Sequence, residues 1–256
     1  MNLKDPQRPI LFNLPYTINY QDQIKILNYA YKHANSWSGQ VQVWDDKKDT
    51  YDQTDYFGRI QITRLTDSSI KKVTADTLIN PNWLNWVCRL DPNLEWEWID
   101  TPITSIVKNY VDSIQHLYKK FNRVLILVQK QGSDIPLHTD KVVKNSYTDE
   151  FFAPGPAKDI NIDVNNNHYL QNRYLTLKFP LTEIEGNNGK PLIEIDQIKY
   201  FYNASNKLFA INEVDIKHGA NAVGHRRGVI FLDGLLDYDA LLQESWLDVG
   251  LTKCNF

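Results

Sequence analysis

The chain has 256 residues with 42% hydrophobic and 23% charged residues and a net charge of −3, a balance that fits a soluble globular protein with a sizeable core. Its pI of about 6.1 and basic clusters no longer than a pair argue against a nucleic-acid or membrane-surface partner. No apolar run reaches bilayer length, the N-terminus lacks a signal-peptide apolar stretch, and two widely spaced cysteines, Cys88 and Cys254, fit a reducing compartment, so a cytoplasmic location is expected.

Pro6, Pro9 and Pro15 punctuate residues 1–19, which read as an extended arm or an edge strand. From Tyr20 to His33, Ile24, Ile26, Leu27, Ala30 and Tyr31 recur at helical spacing and predict a helix, ended by Ser36-Trp37-Ser38-Gly39. Val41 to Trp44 alternates as a strand, Asp45 to Asp55 reads as a polar surface loop, and Tyr56 to Leu65 as a second strand. Between residues 66 and 100, Trp83, Trp86, Trp96 and Trp98 crowd a segment broken by Pro81 and Pro92. The plain reading there is a helix and loop packed on the core; the sharper one is an aromatic substrate wall. Pro102 suits the first turn of a helix running to about Phe121, with Asp100 or Thr101 as cap and Ile106, Val107, Tyr110, Val111, Ile114 and Leu117 as its apolar stripe.

Beyond this point the pattern shortens to period 2. Arg123 to Gln129 reads as a buried strand and Ile135 to His138 as a short one. Lys141 to Asn172 is long and polar, a length that inside a compact domain marks a functional or a disordered loop. Tyr174–Leu181, Leu192–Ile195, Lys199–Tyr202, Lys207–Ile211, Val214–His218 and Arg227–Asp233 read as further strands, giving about eight after Arg123. The fold expected is mainly β with flanking helices: a double-stranded β-helix, a jelly roll of the cupin type, buttressed by the helices of residues 20–33 and 102–121. We expect one domain, with residues 1–121 as a helix-rich support, 122–240 as the β core and 241–256 as a tail.

The stretch Gln131 to Asp140 (Gln-Gly-Ser-Asp-Ile-Pro-Leu-His-Thr-Asp) carries the chemistry. In an extended strand residues i and i+2 share a face, so His138 and Asp140 can converge on one point. His218 opens a second stretch, and Arg227 heads a β-type run nine residues later. Two imidazoles and one carboxylate on one face make the facial set that holds non-haem Fe(II) with open positions, and an arginine nearby can clamp a carboxylate bidentately. Arg226 and Arg227 must face opposite ways, and the spacing from His218 favours Arg227. Against this, a lone His-X-Asp triplet is common by chance. His225 is a rival to His218, His33 and His116 fall in helical segments as surface or core residues, His168 lies in the polar loop, and Asp134 suits a turn.

Pro136-Leu-His138-Thr-Asp140, then Arg173-Tyr-Leu-Thr-Leu-Lys-Phe-Pro180, then Lys207-Leu-Phe-Ala-Ile-Asn212 ahead of His218, with Asn221 and Arg227 following, resemble the Fe(II)/2-oxoglutarate-dependent oxygenase superfamily. The resemblance is nearest to the aspartyl/asparaginyl β-hydroxylase and proline hydroxylase families. It covers about the C-terminal 40% of the chain and implies an oxidoreductase using Fe(II), 2-oxoglutarate and O2. It further implies that His138, Asp140 and His218 bind iron and that Arg227 meets the distal carboxylate of the cosubstrate. Arg173 or Tyr174 would meet its metal-side carboxylate, with Asn221 beside them. The products would be succinate, CO2 and a hydroxylated amino acid or peptidyl residue. Two departures stand out: the long gap between Asp140 and Arg173, which suggests an inserted lid, and the retained carboxylate Asp140, which β-hydroxylases proper replace. Two readings from other classes remain, a cupin-type metal enzyme not using 2-oxoglutarate and a catalytically silent jelly-roll binding module.

Overall fold

The long strands carry apolar side chains on both faces, so they must be covered twice. The computed structural model describes residues 2–6, 9–34, 41–45, 50–54, 57–74, 91, 93–138, 143–144, 151–152, 175–185, 189–204, 206–213 and 216–254. The elements in order are β1 (Leu11–Thr17), α1 (Tyr20–His33), β2 (Val41–Asp45), β3 (Thr50–Thr54), β4 (Phe57–Gln61), β5 (Thr63–Leu65), α2 (Asp67–Thr74) and β6 (Trp96–Trp98). Then come α3 (Thr104–Ile114), a 3₁₀ turn (Gln115–Leu117), β7 (Tyr118–Gln129), β8 (Ile135–His138), β9 (Val143–Lys144) and β10 (Phe151–Phe152). They are followed by β11 (Leu175–Thr182), β12 (Pro191–Ile195), β13 (Ile198–Asn203), β14 (Lys207–Asn212), β15 (Lys217–Ala220), β16 (Arg227–Leu236), α4 (Tyr238–Gln243) and β17 (Gly250–Lys253).

Two antiparallel sheets dominate. A large sheet runs β1-β14-β11-β16-β7-β4 and a small one β17-β13-β12-β15-β8. The pairing is nested: β7 with β16, β8 with β15, β11 with β14, β12 with β13. Side-chain alternation then assigns the two faces of the large sheet. One face presents Val124, Ile126 and Val128, Leu177, Phe179 and Leu181, Ile230 and Leu232 to Ile26, Leu27 and Ala30 of α1 and to Val107, Val111 and Ile114 of α3. The other face packs Leu11, Phe209 and Ile211 against Ile193, Ile195 and Tyr202 of the small sheet. Each such side chain contributes roughly 1.5–3 kcal/mol on burial, which holds helix layer, large sheet and small sheet together.

The helix α1 has the bounds that its periodicity predicts. The Asn19 side chain accepts from Asp22 N–H at 2.9 Å, satisfying one orphan donor of the first turn. Residues 1–19 supply β1 as an edge strand, as expected.

Several expectations are corrected. The polar stretch 45–55 is not all loop, because Thr50–Thr54 pairs with Val41–Asp45; its sequence Thr-Tyr-Asp-Gln-Thr has no apolar alternation to mark a strand. The strand expected over 56–65 is two strands: the Thr63 hydroxyl accepts from Val124 N–H at 2.7 Å, taking that ladder donor, and β5 leaves β7 to pair with β6. The helix expected over 102–121 spans only Thr104–Ile114, and neither Asp100 nor Thr101 caps it; the Thr104 hydroxyl instead donates to Ile99 O at 2.6 Å. Its expected last turns belong to β7, because β16 extends to Leu236 and draws Tyr118 to Phe121 into the ladder. The strand expected over 214–218 is Lys217–Ala220. The expected tail 241–256 holds β17, an edge strand exposed along its whole length and therefore without apolar alternation to read.

Candidate functional site

His138 ends β8 and His218 lies in β15, and the two are direct cross-strand partners. Such partners share one face of a sheet at Cβ separations of ~4.5–5.5 Å, and here the imidazole rings meet at 4.5 Å between centroids. Asp140 lies outside the described residues. Among the described residues no group of three His, Cys, Asp or Glu side chains is close enough to hold a metal ion.

Facing the histidines is a buried charge cluster. The Nε2 of His218 is 3.1 Å from Glu213 Oε1, and its Nδ1 is 3.4 Å from Ile216 O. The same Glu213 oxygen accepts from Lys178 Nζ, and both side chains are buried. Lys178 sits on β11 between Leu177 and Phe179, so it points into the space between the sheets. Its ammonium lies 3.7 Å above the ring of its cross-strand partner Phe231, a favourable cation–π placement. Burial works against an ionised Glu213, yet the Lys178 ammonium and then the His218 imidazole hold its carboxyl well below the usual range.

Arg227 stands on the same inner face at the head of β16, opposite Gln129 of β7 and Thr182 of β11. Its Nε donates to Gln129 Oε1 and its Nη2 to Asn221 O at 3.3 Å, while its backbone N–H donates to the Tyr31 hydroxyl at 3.3 Å. Burial pulls its pKa down to about 10, with Tyr202, Tyr31 and Asp134 opposing, so it remains a cation at neutral pH. Gly189 (φ +86°) passes directly over it: a Cβ there would stand 2.3 Å from Arg227 Nη1. Tyr202 is buried, and its hydroxyl is pushed far up by burial and by Glu213, with Arg227 acting the other way. It therefore lies within electrostatic reach of both charge centres.

Arg226 turns away. Its backbone N–H and Nε donate to Glu183 at 2.5 and 2.6 Å, and its Nη1 to Asn28 Oδ1 at 2.9 Å. Strand alternation therefore sends Arg227 inward and Arg226 toward α1. Asn221 meets Arg227 through its carbonyl, and its own N–H donates to Lys190 O at 2.9 Å. Arg173, Tyr174, His168, Trp83, Trp86 and Cys88 lie outside the described residues. Asp134 Oδ1 accepts from Ala222 N–H at 2.5 Å, a bond to the segment between β15 and β16. His33 stacks on Tyr29, and His116 bonds to Glu244 at 3.0 Å. His225 has a buried Nε2 without a hydrogen bond among the described residues, and burial followed by Arg227 lowers its pKa. Trp96 and Trp98 form β6, and Cys254 is a free thiol.

Lys178, Glu213, Gln129 and Tyr202 were not singled out in the sequence. The available signal was Lys178, a lysine at an inward position of the apolar run Leu-Thr-Leu-Lys-Phe-Pro-Leu, since lysine is almost never buried unless paired.

No family model matches this chain, and no curated protein does. Among solved structures it is similar to a prolyl-4-hydroxylase from Pseudomonas putida, at 7% identity and a TM-score of 0.38, over 87% of this chain and 90% of that one. It is also similar to a viral collagen prolyl hydroxylase from Paramecium bursaria Chlorella virus-1, solved as its 2OG complex, at 15% identity and a TM-score of 0.28, over 70% and 94% of the two chains. Similarity at this level assigns neither family nor activity. Among the described residues no helix is long and apolar enough to cross a membrane.

Proposed function

We propose that this chain is a non-haem Fe(II)/2-oxoglutarate-dependent dioxygenase that hydroxylates an amino acid or a peptidyl residue. The observation that carries the reading is the cross-strand pair His138 and His218, with the buried Arg227 on the inner face of the large sheet. The nested pairing of the eight strands from β7 to β16, the two-residue β9 and β10 aside, supports a double-stranded β-helix, in which the first strand pairs with the last and so on inward. The donor set fits ferrous iron: two imidazoles side by side suit Fe(II) once a carboxylate joins them, and Asp140, two residues beyond His138, is the carboxylate proposed.

In this reading His138, Asp140 and His218 hold the ion. Arg227 pairs with the distal carboxylate of the cosubstrate, its guanidinium kept planar to the site by Gln129 and the Asn221 carbonyl. Gly189 leaves the space over that guanidinium which any side chain would fill. Arg173 or Tyr174, and the Asn221 side chain, are proposed beside the metal-side carboxylate. Ile193, the cross-strand neighbour of His218, is buried with Phe209 and Ile211 in the apolar layer between the sheets. Bound iron supplies the activation of O2 coupled to oxidation of 2-oxoglutarate to succinate and CO2, and the protein supplies orientation. The substrate is a small molecule or a peptide, with no nucleic acid or membrane involved.

Anaerobic titration of the purified chain with Fe(II) and then 2-oxoglutarate tests this. A visible charge-transfer band that needs both, and that His138→Ala and Arg227→Ala each abolish, is the expected result. Metal binding without the band would favour a metal enzyme not using 2-oxoglutarate. No metal binding at all would favour a silent binding module.

A further inference from the structure

We infer that Tyr31 of α1 is a positioning residue for Arg227: from the helix side of the large sheet its hydroxyl bridges the backbones of β7 and β16 at the arginine, and so holds the guanidinium on the inner face, toward the cosubstrate. The inference rests on the reading of Arg227 as the group that meets the cosubstrate carboxylate.

Arg227 is the first residue of β16 and pairs with Gln129, the last of β7. Strand ends are the part of a ladder that opens most readily, and a slip of one residue sends every side chain to the other face. At this end a slip would turn Arg226 inward and Arg227 toward α1. Contacts from α1 oppose it. A phenol both donates and accepts: the Tyr31 hydroxyl donates to Gln129 O and accepts from Arg227 N–H at 3.3 Å. The Arg226 guanidinium lies 5.6 Å from the centre of the Tyr31 ring, within cation–π reach. Asn28, on the same face of α1 three residues earlier, accepts from Arg226 Nη1 at 2.9 Å. The helix thus takes Arg226 by its side chain and Arg227 by its backbone. On the inner face Gln129 adds a second link, its Oε1 accepting from Arg227 Nε. The paired residues are therefore tied on both faces of the sheet, and the outer tie comes from the N-terminal part of the chain. Burial raises the pKa of the Tyr31 hydroxyl, so it keeps the proton it donates.

The test compares the full-length wild type with Tyr31→Phe, which removes the hydroxyl and keeps the ring. Two affinities are read: that for Co(II) alone, by calorimetry, and that for 2-oxoglutarate on the anaerobic Fe(II) protein, from the charge-transfer band. The folded variant should bind 2-oxoglutarate about 3–10-fold more weakly, the loss that one ordinary hydrogen bond corresponds to, with Co(II) affinity equal to that of wild type. A general structural role would leave both affinities unchanged in the folded variant or lower them together, and either result overturns the inference. NMR of the metal-free wild type provides the second measurement should the variant not fold. A slowly exchanging Tyr31 hydroxyl proton in contact with the Arg227 amide supports the role; a hydroxyl in fast exchange with water and without that contact overturns it. A wild type that binds no 2-oxoglutarate overturns the cosubstrate reading and this role with it, whereas binding by wild type with unchanged affinity in the variant removes this role alone.

Discussion

Two consecutive arginines have opposite surroundings, and the difference is one of strand parity. Arg227 is buried between Gln129 and the Asn221 carbonyl, whereas Arg226 reaches Glu183 and Asn28 on the side of α1. Burial acts against the Glu183 charge, but hydrogen bonds and attraction from Arg226 hold its carboxyl below the ordinary value. A carboxyl whose pKa is lower folded than unfolded contributes stability above the unfolded value, and that contribution is lost as pH falls through the folded one. Glu183→Gln should therefore lower the unfolding free energy by about 1 kcal/mol near neutrality, and the gap to wild type should close toward pH 3 in denaturant titrations; a gap constant over that range would contradict the assignment. At this scale the inward turn of Arg227 was legible from strand alternation, and His138 and His218, picked out by residue type, do lie side by side. Lys178 and Glu213 were not singled out: a lysine inside an apolar run hints at burial, but sequence does not say which distant carboxylate it meets.

The elements around the site depend on a few polar bonds that cross between them. Gln23 of α1 is fully buried; its Nε2 donates to Ile18 O at 2.9 Å and its Oε1 accepts from Thr182 N–H at 3.2 Å. It ties the helix to the end of β11, next to the strand that carries Arg227. Gln23→Ala leaves one buried carbonyl and one buried N–H without these partners, and should lower stability by roughly 1–3 kcal/mol in thermal unfolding with little change in the metal affinity of the folded protein. Periodicity revealed α1 and the inner strands because each has a clear apolar face. It misjudged the boundary between α3 and β7, where the residues of Tyr118 to Phe121 fit a helix pattern locally but are claimed by β16. It missed β3 and β17, since a ribbon and an exposed edge need no apolar alternation.

For the molecule as a whole, the nested pairing means that no sheet strand of the core closes on its neighbour alone, except at β12–β13. Partners such as β7 and β16 are brought together only once everything between them is placed, so folding is expected to be slow for its size. The mainly β architecture was legible from strand count and spacing, but not which strands β1 and β4 pair with at the two edges of the large sheet, since pairing partners far apart in the chain leave no local mark. The cross-strand position of His138 and His218 also has a mechanical consequence. An ion shared by the two rings would rivet β8, at the edge of the small sheet, to β15, closing the long chain segment between them as a crosslink would. Opening that edge would then require release of the ion. At Co(II) a hundredfold above Kd, linkage gives ~2.7 kcal/mol, so the melting temperature should rise by about 5–10 °C, and amide exchange at the β8–β15 seam should slow more than at the helices.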